Sequence, residues 1–511
     1  MPIPPESFLL DPHAPGTLQA RIQQMVAAGI LSGRFRAGEK MPSTRGLAAH
    51  LGVSRITVTL AYTELVADDY LTARGRSGYF VSADAPEPPA FAPQSPAVTT
   101  VDWPTRLGPA IPPLGLDKPR DWARYRYNFI YGQADATLFD AANWRLCALQ
   151  ALGRRDWESL AADQFDGDDP LLVDFIARQM LPRRGILASP SEILLTLGAQ
   201  NALWLAAQIL TPGQRVAMED PGYPALRGIL SQTGCALTPV AVDAEGLPPE
   251  ALPAVDVIFT TPAHQCPTTV TMPIPRREAL LELAEARDMI VVEDDYEFEL
   301  PAGQSLSPAL KALDRGGRVI YVGSFSKSVF PGLRLGYLVG PAPFIAQARA
   351  LRALSLRHPP GHVQRTLAHF LSRGHYDALI RRTGRAYAER RAAMETAVAG
   401  AGLQVVGRPA AGGSSLWLRA PGRDMGAAAV GLRDRGVLIE PGAAFFAGGA
   451  RWTDARPTGA GAFFAGSDAV PVGFTHATVA WVKPTISPQE YYRLAWSSIP
   501  VGRIAEGVAL L

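Results

Sequence analysis

Residues 321–337 read YVGSFSKSVFPGLRLGY, and the chain is organised around them. An apolar run, Arg318 to Gly323, arrives as a strand and ends in small hydroxylated residues around one lysine, Ser324-Phe325-Ser326-Lys327. A Pro331-Gly332 turn follows, then Arg334, then a second strand-like run from Leu335 to Val339. A lone lysine among apolar and small residues is poorly solvated, so its ammonium form is disfavoured and its amine becomes nucleophilic. Ser324, Ser326 and the bidentate fork of Arg334 can hold a phosphate. An amine that attacks an aldehyde beside a phosphate seat points to pyridoxal 5′-phosphate (PLP) held as a Schiff base on Lys327. The plain alternative is a solvated lysine at a strand end.

The surrounding chain sets the bounds. At 511 residues it is too long for one core and should hold two or three domains. With 49 Lys+Arg against 47 Asp+Glu, global charge names no partner. Three cysteines, Cys147, Cys235 and Cys266, are an odd number without metal-ligand spacing, which favours a reducing compartment over a disulfide framework. The start, MPIPPESFLLDPHAPG, lacks the basic n-region and apolar core of a signal peptide. No apolar run approaches the ~18–20 residues of a membrane span. A soluble, cytoplasmic protein is expected, with no membrane partner.

Before the lysine strands lies an α/β pattern. Apolar runs at 193–197, 215–218, 255–260 and 289–292 alternate with helical stretches near 200–210, 223–234 and 276–288. This predicts a mostly parallel sheet whose ligands sit beyond the carboxyl ends of the strands. At those ends stand Gly198-Ala199-Gln200, a helix-opening phosphate seat. Then come Tyr223, which either stacks on a planar ring or plugs the core, and His264, a site residue or a structural histidine. Glu293-Asp294-Asp295-Tyr296 follows the fourth strand. Three carboxylates at a buried strand end are costly unless a cation faces them. A protonated pyridine nitrogen would suit one of them; a magnesium ion is the competing reading.

The first 83 residues differ in character. Residues 17–32 read as an amphipathic helix through Leu18, Ile22, Met25, Val26 and Ile30. Ser43 or Thr44 can cap a second helix, Arg45 to Leu51, and Ser54 a third from Arg55 to about Ala67, which together make a helix-turn-helix. Residues 69–74 and 78–81, around Gly75-Arg76-Ser77, read as a hairpin wing. Residues 17–83 hold eight Lys/Arg and four Asp/Glu, a local net of 8 − 4 = +4. Arg45, Arg55 and Arg76 fall at the helix cap, the recognition-helix start and the wing tip; Ser54 and Thr57 can bond phosphates. A helical adaptor with solvated arginines is the alternative. Nine prolines between Pro86 and Pro113 then read as a semi-rigid tether. The expected division is 14–83 for the winged helix, 84–125 for the linker and 126–511 for the large domain. That domain carries a smaller C-terminal α+β part.

The stretch MPSTRGLAAHLGVSRITVTLAYTELVADDYLTARGRSGYFV resembles the winged helix of GntR-type bacterial regulators, with Thr59 where many relatives carry an arginine. The order Gly-Ala-Gln, Tyr, acidic strand end, Ser-Phe-Ser-Lys and Arg resembles fold-type I, aspartate-aminotransferase-like PLP enzymes. Together they resemble MocR/GabR-type regulators. The resemblance implies Lys327 as the Schiff-base lysine, Asp294 as partner of the pyridine nitrogen and Tyr296 as partner of the ring hydroxyl. It makes Tyr223 the stacking ring, and Gly198, Ala199, Gln200, Ser324, Ser326 and Arg334 the phosphate cradle. Arg493, in Tyr492-Arg493-Leu494-Ala495-Trp496-Ser497, would hold an acidic group of the effector, with His264 nearby. The family's Asn-Pro-Thr-Gly is here Cys266-Pro267-Thr268-Thr269, which weighs against efficient transamination more than against cofactor binding. A Gly/Ala-rich insertion spans about 447–489, and Gly442-Ala-Ala-Phe-Phe-Ala at its edge recurs within it as Gly461-Ala-Phe-Phe-Ala.

The implied protein is a PLP-dependent transcription regulator that senses an amino-group effector through an external aldimine. It would work as a homodimer, head-to-tail and domain-swapped, on a double-stranded DNA operator with paired half-sites. A working aminotransferase and a sensor of PLP itself are the alternatives. An amino acid, an amino sulfonate, a γ-amino acid or a compatible-solute breakdown product would each fit Arg493.

Overall fold

The computed structural model describes residues 3–11, 15–86, 101–108, 118–297, 307–406, 413–447 and 487–511. They divide into two compact units, Met1–Ala110 and Ile111–Leu511.

In the first unit, α1 (Leu18–Leu31), α2 (Thr44–Leu51) and α3 (Arg55–Ala67) precede the antiparallel pair β1 (Leu71–Ala73) and β2 (Tyr79–Val81). Each helix opens on a hydroxyl cap: Thr17, Ser43 and Ser54 accept from the backbone N–H of Ala20, Gly46 and Thr57. Gly52, at φ 65°, ends α2 in the left-handed conformation that glycine adopts without strain. Ile22, Val26 and Ile30 of α1 pack on Val58, Ala61, Tyr62 and Leu65 of α3, while Leu18 stays exposed. The core also draws in residues that the sequence pattern left outside. Ile3 and Phe8 are buried, and Phe8 stacks on Phe35 at 4.9 Å. The unit therefore draws on residues before 14: Ile3 and Phe8 flank a short 3-10 turn, Pro5–Ser7, and supply two apolar anchors, each contributing about 1.5–3 kcal/mol when fully buried.

The second unit opens with β3 (Tyr127–Asn128) and is built on a seven-stranded sheet. Its strands are β4 (Ile193–Thr196), β5 (Arg215–Asp220), β6 (Ala236–Ala241), β7 (Val257–Thr260), β8 (Ile290–Asp295), β9 (Val319–Ser324) and β10 (Gly336–Val339). They lie in the order β4-β10-β9-β8-β7-β5-β6. Only β10 runs against its neighbours. Alternate side chains feed two cores. Ile193, Leu195, Tyr321, Tyr337 and Val339 enter one; Leu194, Ile320, Val322 and Leu338 enter the other. Burial on both faces explains why these strands read as unbroken apolar runs.

A smaller sheet follows: β11 (Gln404–Val405), β12 (Ser415–Arg419), β14 (Glu440–Pro441) and β15 (Tyr491–Ala495), in the order β11-β12-β15-β14. Between them β13 (Val437–Leu438) pairs in parallel with β3. The helix His375–Gly400 packs Tyr387, Met394 and Val398 onto this sheet.

The expected tether is shorter than 84–125. Residues 118–125 belong to the second unit, where Lys118 donates to the carbonyl of Tyr131. Of the expected insertion, residues 448–486 lie outside the described ones. Its flanks are ordered: Ala447 N–H donates to Asp220 Oδ1 at 2.9 Å, and residues 488–490 lead into β15.

Candidate functional site

The parallel strands of the second unit all end at one edge of the sheet. Gly336, the first residue of β10, pairs with Ser324 and Thr196, so the segment before it, with Arg334, reaches the same edge. A cavity of about 220 Å³ opens there. Its lining includes Ala199, Gln200, Tyr223, Asp294, Tyr296, Ser324, Ser326, Lys327, Arg334 and Arg493. Six separate chain segments thus bring ten of the predicted residues together. Gly198 caps the same wall: a Cβ there would lie 3.2 Å from Arg334 Nη2, and its φ is 80°. His264 is not among the lining residues. It is buried, its imidazole is held below its ordinary pKa by burial, and neither ring nitrogen has a hydrogen-bond partner among the described residues.

The acidic run at the end of β8 resolves by strand alternation. Glu293 accepts from the backbone N–H of Leu310 and Lys311, both at 2.8 Å. Asp295 accepts from Arg184 Nε at 2.7 Å and from the Tyr321 hydroxyl at 2.8 Å. Asp294 turns the other way, into the cavity. Its Oδ1 is buried with no hydrogen-bond partner among the described residues. Burial first, then the charges of Asp295, Glu219 and Glu293, push its carboxyl up to about 7. The three carboxylates diverge, and among the described residues no cluster of His, Cys, Asp and Glu is arranged to hold a metal ion.

Lys327 is also buried, and burial pushes its amine down to about 8. Its Nζ lies 4.0 Å from the centre of the Tyr131 ring. Gly132 makes that approach possible, since a Cβ there would sit 2.4 Å from Nζ. At one end of the cavity lies the first turn of the helix Ala199–Leu210, where free backbone N–H groups favour an anion. Arg334 frames it, with Nη2 donating to the Leu197 carbonyl at 3.1 Å. Ser324 Oγ accepts from Ser326 N–H at 3.2 Å, which fixes the hydroxyl loop.

At the other end, Arg493 of β15 stands directly across from Glu440 of β14. Its Nε donates to Glu440 Oε2 at 2.7 Å. Its guanidinium lies 4.1 Å from the Tyr131 ring centre and 4.8 Å from that of Phe445. Burial opposes both charges, but each overrides it for the other: Glu440 stays below and Arg493 above its ordinary pKa. The arginine is therefore charged and clamped.

Sequence reasoning missed Tyr131, Glu440, Phe445 and Lys118 as site residues. For Tyr131 the glycine after it was the available signal. Glu440 becomes visible only once β14 is known to pair with β15. Cys266 lines the cavity as a neutral thiol, pushed up to about 12 by burial.

On the first unit, Arg45, Arg55 and Arg76 are all exposed, on α2, at the first turn of α3 and between β1 and β2. Ser54 serves first as a cap, and its Oγ also shares a hydrogen bond with Thr57 Oγ1 at 2.8 Å. Thr57 is half-buried.

Residues 18–81 match the family of bacterial regulatory proteins of the gntR family, and residues 170–453 match aminotransferase class I and II. The chain is 55% identical to the HTH-type transcriptional regulator TauR of Rhodobacter capsulatus, over all of this chain and 99% of that one. It is 32% identical to the probable rhizopine catabolism regulatory protein MocR of Rhizobium meliloti, covering 75% and 77% of the two chains. The chain belongs to the MocR-type GntR transcriptional regulators. Its second unit is similar in fold to the kynurenine aminotransferase of Pyrococcus horikoshii. The TM-score is 0.63 at 25% identity, with 76% of this chain and 89% of that one covered. It is thus a transcription regulator with a DNA-binding helix-turn-helix and an aminotransferase-like domain of a fold that implies PLP dependence. Among the described residues no helix is long and apolar enough to cross a membrane.

The exposed position of Arg55 at the start of α3 yields a prediction. Arg55→Ala weakens binding to a promoter fragment selected by the wild type by about tenfold or more, measured by fluorescence anisotropy, while the thermal unfolding midpoint is unchanged.

Proposed function

We propose that the second unit binds PLP and an amine effector, and that effector binding changes the affinity of the protein for its operator. The observation that carries this reading is Asp294, a buried carboxyl aimed into a cavity with no partner of its own. A protonated pyridine nitrogen is a cation of matching size. The residues present fit the rest of the cofactor: Lys327 for its aldehyde, Tyr223 for a ring face, and Ala199, Gln200, Ser324, Ser326 and Arg334 for its phosphate. Tyr296 and the Cys266 thiol also line the cavity and would be the groups to bond the ring hydroxyl, the thiol as a weak donor. When bound, PLP supplies an aldehyde that condenses with amines and a ring that withdraws electrons.

The chain's own groups do the selecting. Lys327 offers a low-pKa amine that an incoming amine can replace. Arg493 receives the effector's anionic end. Both cations lie against Tyr131, at 4.0 and 4.1 Å from its ring centre, so they are no more than 8.1 Å apart, the two distances laid end to end. That bound suits a short amine bearing one acidic group. The effector acts only through its differential affinity for the states that do and do not favour the operator. The regulator is proposed to work in the cytoplasm as a homodimer, matching two helix-turn-helix units to paired half-sites.

Two expected outcomes test this. Cofactor affinity rises with pH between 6 and 8. Asp294 is neutral below about 7 and charged above it, and Lys327 loses its proton through about 8, so both binding-competent forms grow in the same direction. Equilibrium titration should show about tenfold tighter PLP binding or more across that range, and Asp294→Asn should weaken binding and flatten the rise.

Second, a panel of short acidic amines is added to PLP-loaded protein on its operator fragment. At least one should change operator affinity in the wild type and none in Lys327→Ala. Equal responses in both proteins contradict the reading. Sustained amino-group transfer at ~1–10³ s⁻¹ would instead make the second unit a working enzyme.

A further inference from the structure

The Arg493 end of the cavity holds a second cation. Lys118 Nζ lies 2.9 Å from Glu440 Oε1, and it also donates to the Tyr131 carbonyl. Glu440 therefore bridges two cations, with Arg493 on Oε2 at 2.7 Å and Lys118 on Oε1. Arg493 alone would neutralise that carboxylate, so the seat carries one positive charge beyond its pairing. The three members differ in access. The side chains of Arg493 and Glu440 are 4% and 3% exposed, whereas that of Lys118 is 29% exposed and lines the cavity. Glu297, the other carboxylate at Tyr131, is occupied by the Tyr131 hydroxyl at 2.9 Å and by Ser414 at 2.6 Å, and does not pair with Lys118.

We propose that Lys118 is a direct effector ligand: its ammonium leaves Glu440 for the anionic group of the arriving amine, which is then held between Lys118 and Arg493. Burying an anion in a closed cavity costs several kcal/mol unless it is paired, and two donors from opposite sides satisfy a carboxylate or sulfonate better than one arginine edge. Glu440 keeps Arg493 as its partner throughout, so no carboxylate is left unpaired by the exchange. The amine end is still set by Lys327, whose pKa the nearby charges of Lys118 and Arg493 help to hold down after burial. Lys118 also stands eight positions after Ala110, where the first unit ends in sequence. The residue that changes partner is therefore close, along the chain, to the DNA-binding unit.

This inference rests on the effector reading of the cavity, and the experiment separates the two. PLP-loaded wild type, Lys118→Met and Lys118→Arg are titrated with straight-chain amines ending in a carboxylate or sulfonate, and with n-alkylamines of equal length. Binding is followed by the cofactor's visible spectrum, and fold integrity by cofactor content and thermal unfolding. The wild type should prefer the anion-ended amines. Lys118→Met should lose about tenfold to a hundredfold of that preference, with n-alkylamine binding shifting much less than that of the anion-ended amines, and Lys118→Arg should retain most of it. A preference that survives intact in Lys118→Met, or equal losses for both kinds of amine, overturns the inference alone. A wild type indifferent to the anionic end overturns the effector reading and the inference with it.

Discussion

Two buried ionisable groups, the Asp294 carboxyl and the Lys327 amine, set the constraint under which the second unit is built. Neither is placed where a folding chain would put it for stability. Burial moves both toward neutrality, Asp294 up to about 7 and Lys327 down to about 8. The neighbouring acids of β8 are treated differently. Glu293 is capped by two backbone N–H groups and Asp295 is tied to Arg184 and Tyr321. Glu293 and Asp295 each have protein partners, although Asp295 Oδ1 is itself buried without a hydrogen bond, whereas Asp294 Oδ1 is bare and Asp294 lines the cavity, which on the proposed reading suits something cationic from outside. The rest of the sheet edge faces the same cavity: a helix N-terminus, two serines and Arg334 at one end, the Arg493–Glu440 pair at the other.

How much of this was legible in the sequence follows from how the residues reach the cavity. Lys327, Asp294, Tyr296, Tyr223 and Gly198 each stand just past the end of an apolar run, and parallel strands bring such ends together without further information; Arg334 stands just before the antiparallel β10 and so reaches the same edge. The winged-helix unit was legible for a related reason. Its caps, Ser43, Ser54 and Gly52, are local signals, and the helices they delimit match the structure within a residue or two. Tyr131, Phe445 and Glu440 were hidden because their place depends on pairing between strands far apart in the chain, β3 with β13 and β14 with β15. Lys118 was hidden by its company. It lies in proline-rich chain that reads as a tether, and only the tertiary structure shows its last residues belonging to the second unit. β6 was missed because its side chains are mostly half-buried or exposed, so its sequence lacks an apolar run. The Gly-Ala-Phe-Phe-Ala repeat had no reading from sequence. Its first copy places Phe445 against Arg493 and buries it beneath Trp417 and Tyr491.

The chemistry left out of the cavity also matters. On the motif resemblance Cys266 would take the position of the aminotransferase asparagine, and a buried neutral thiol is a poor hydrogen-bond donor. Holding a cofactor and its amine demands little of that residue, whereas turnover gains from a group that stabilises the electron-rich ring as charge develops. On the proposed reading, a cavity with the lysine, the aspartate and the arginine but without that donor would serve recognition more than catalysis. This accords with its attachment to a DNA-binding unit.

The most direct measurement is reductive trapping. The purified protein is incubated with PLP, reduced with borohydride, digested and mapped by mass spectrometry. The account predicts a pyridoxyl group on the peptide containing Lys327, at close to one per chain, and no label there in Lys327→Ala. Protein that takes up no PLP, or a label spread over surface lysines with Lys327 unmodified, would contradict it.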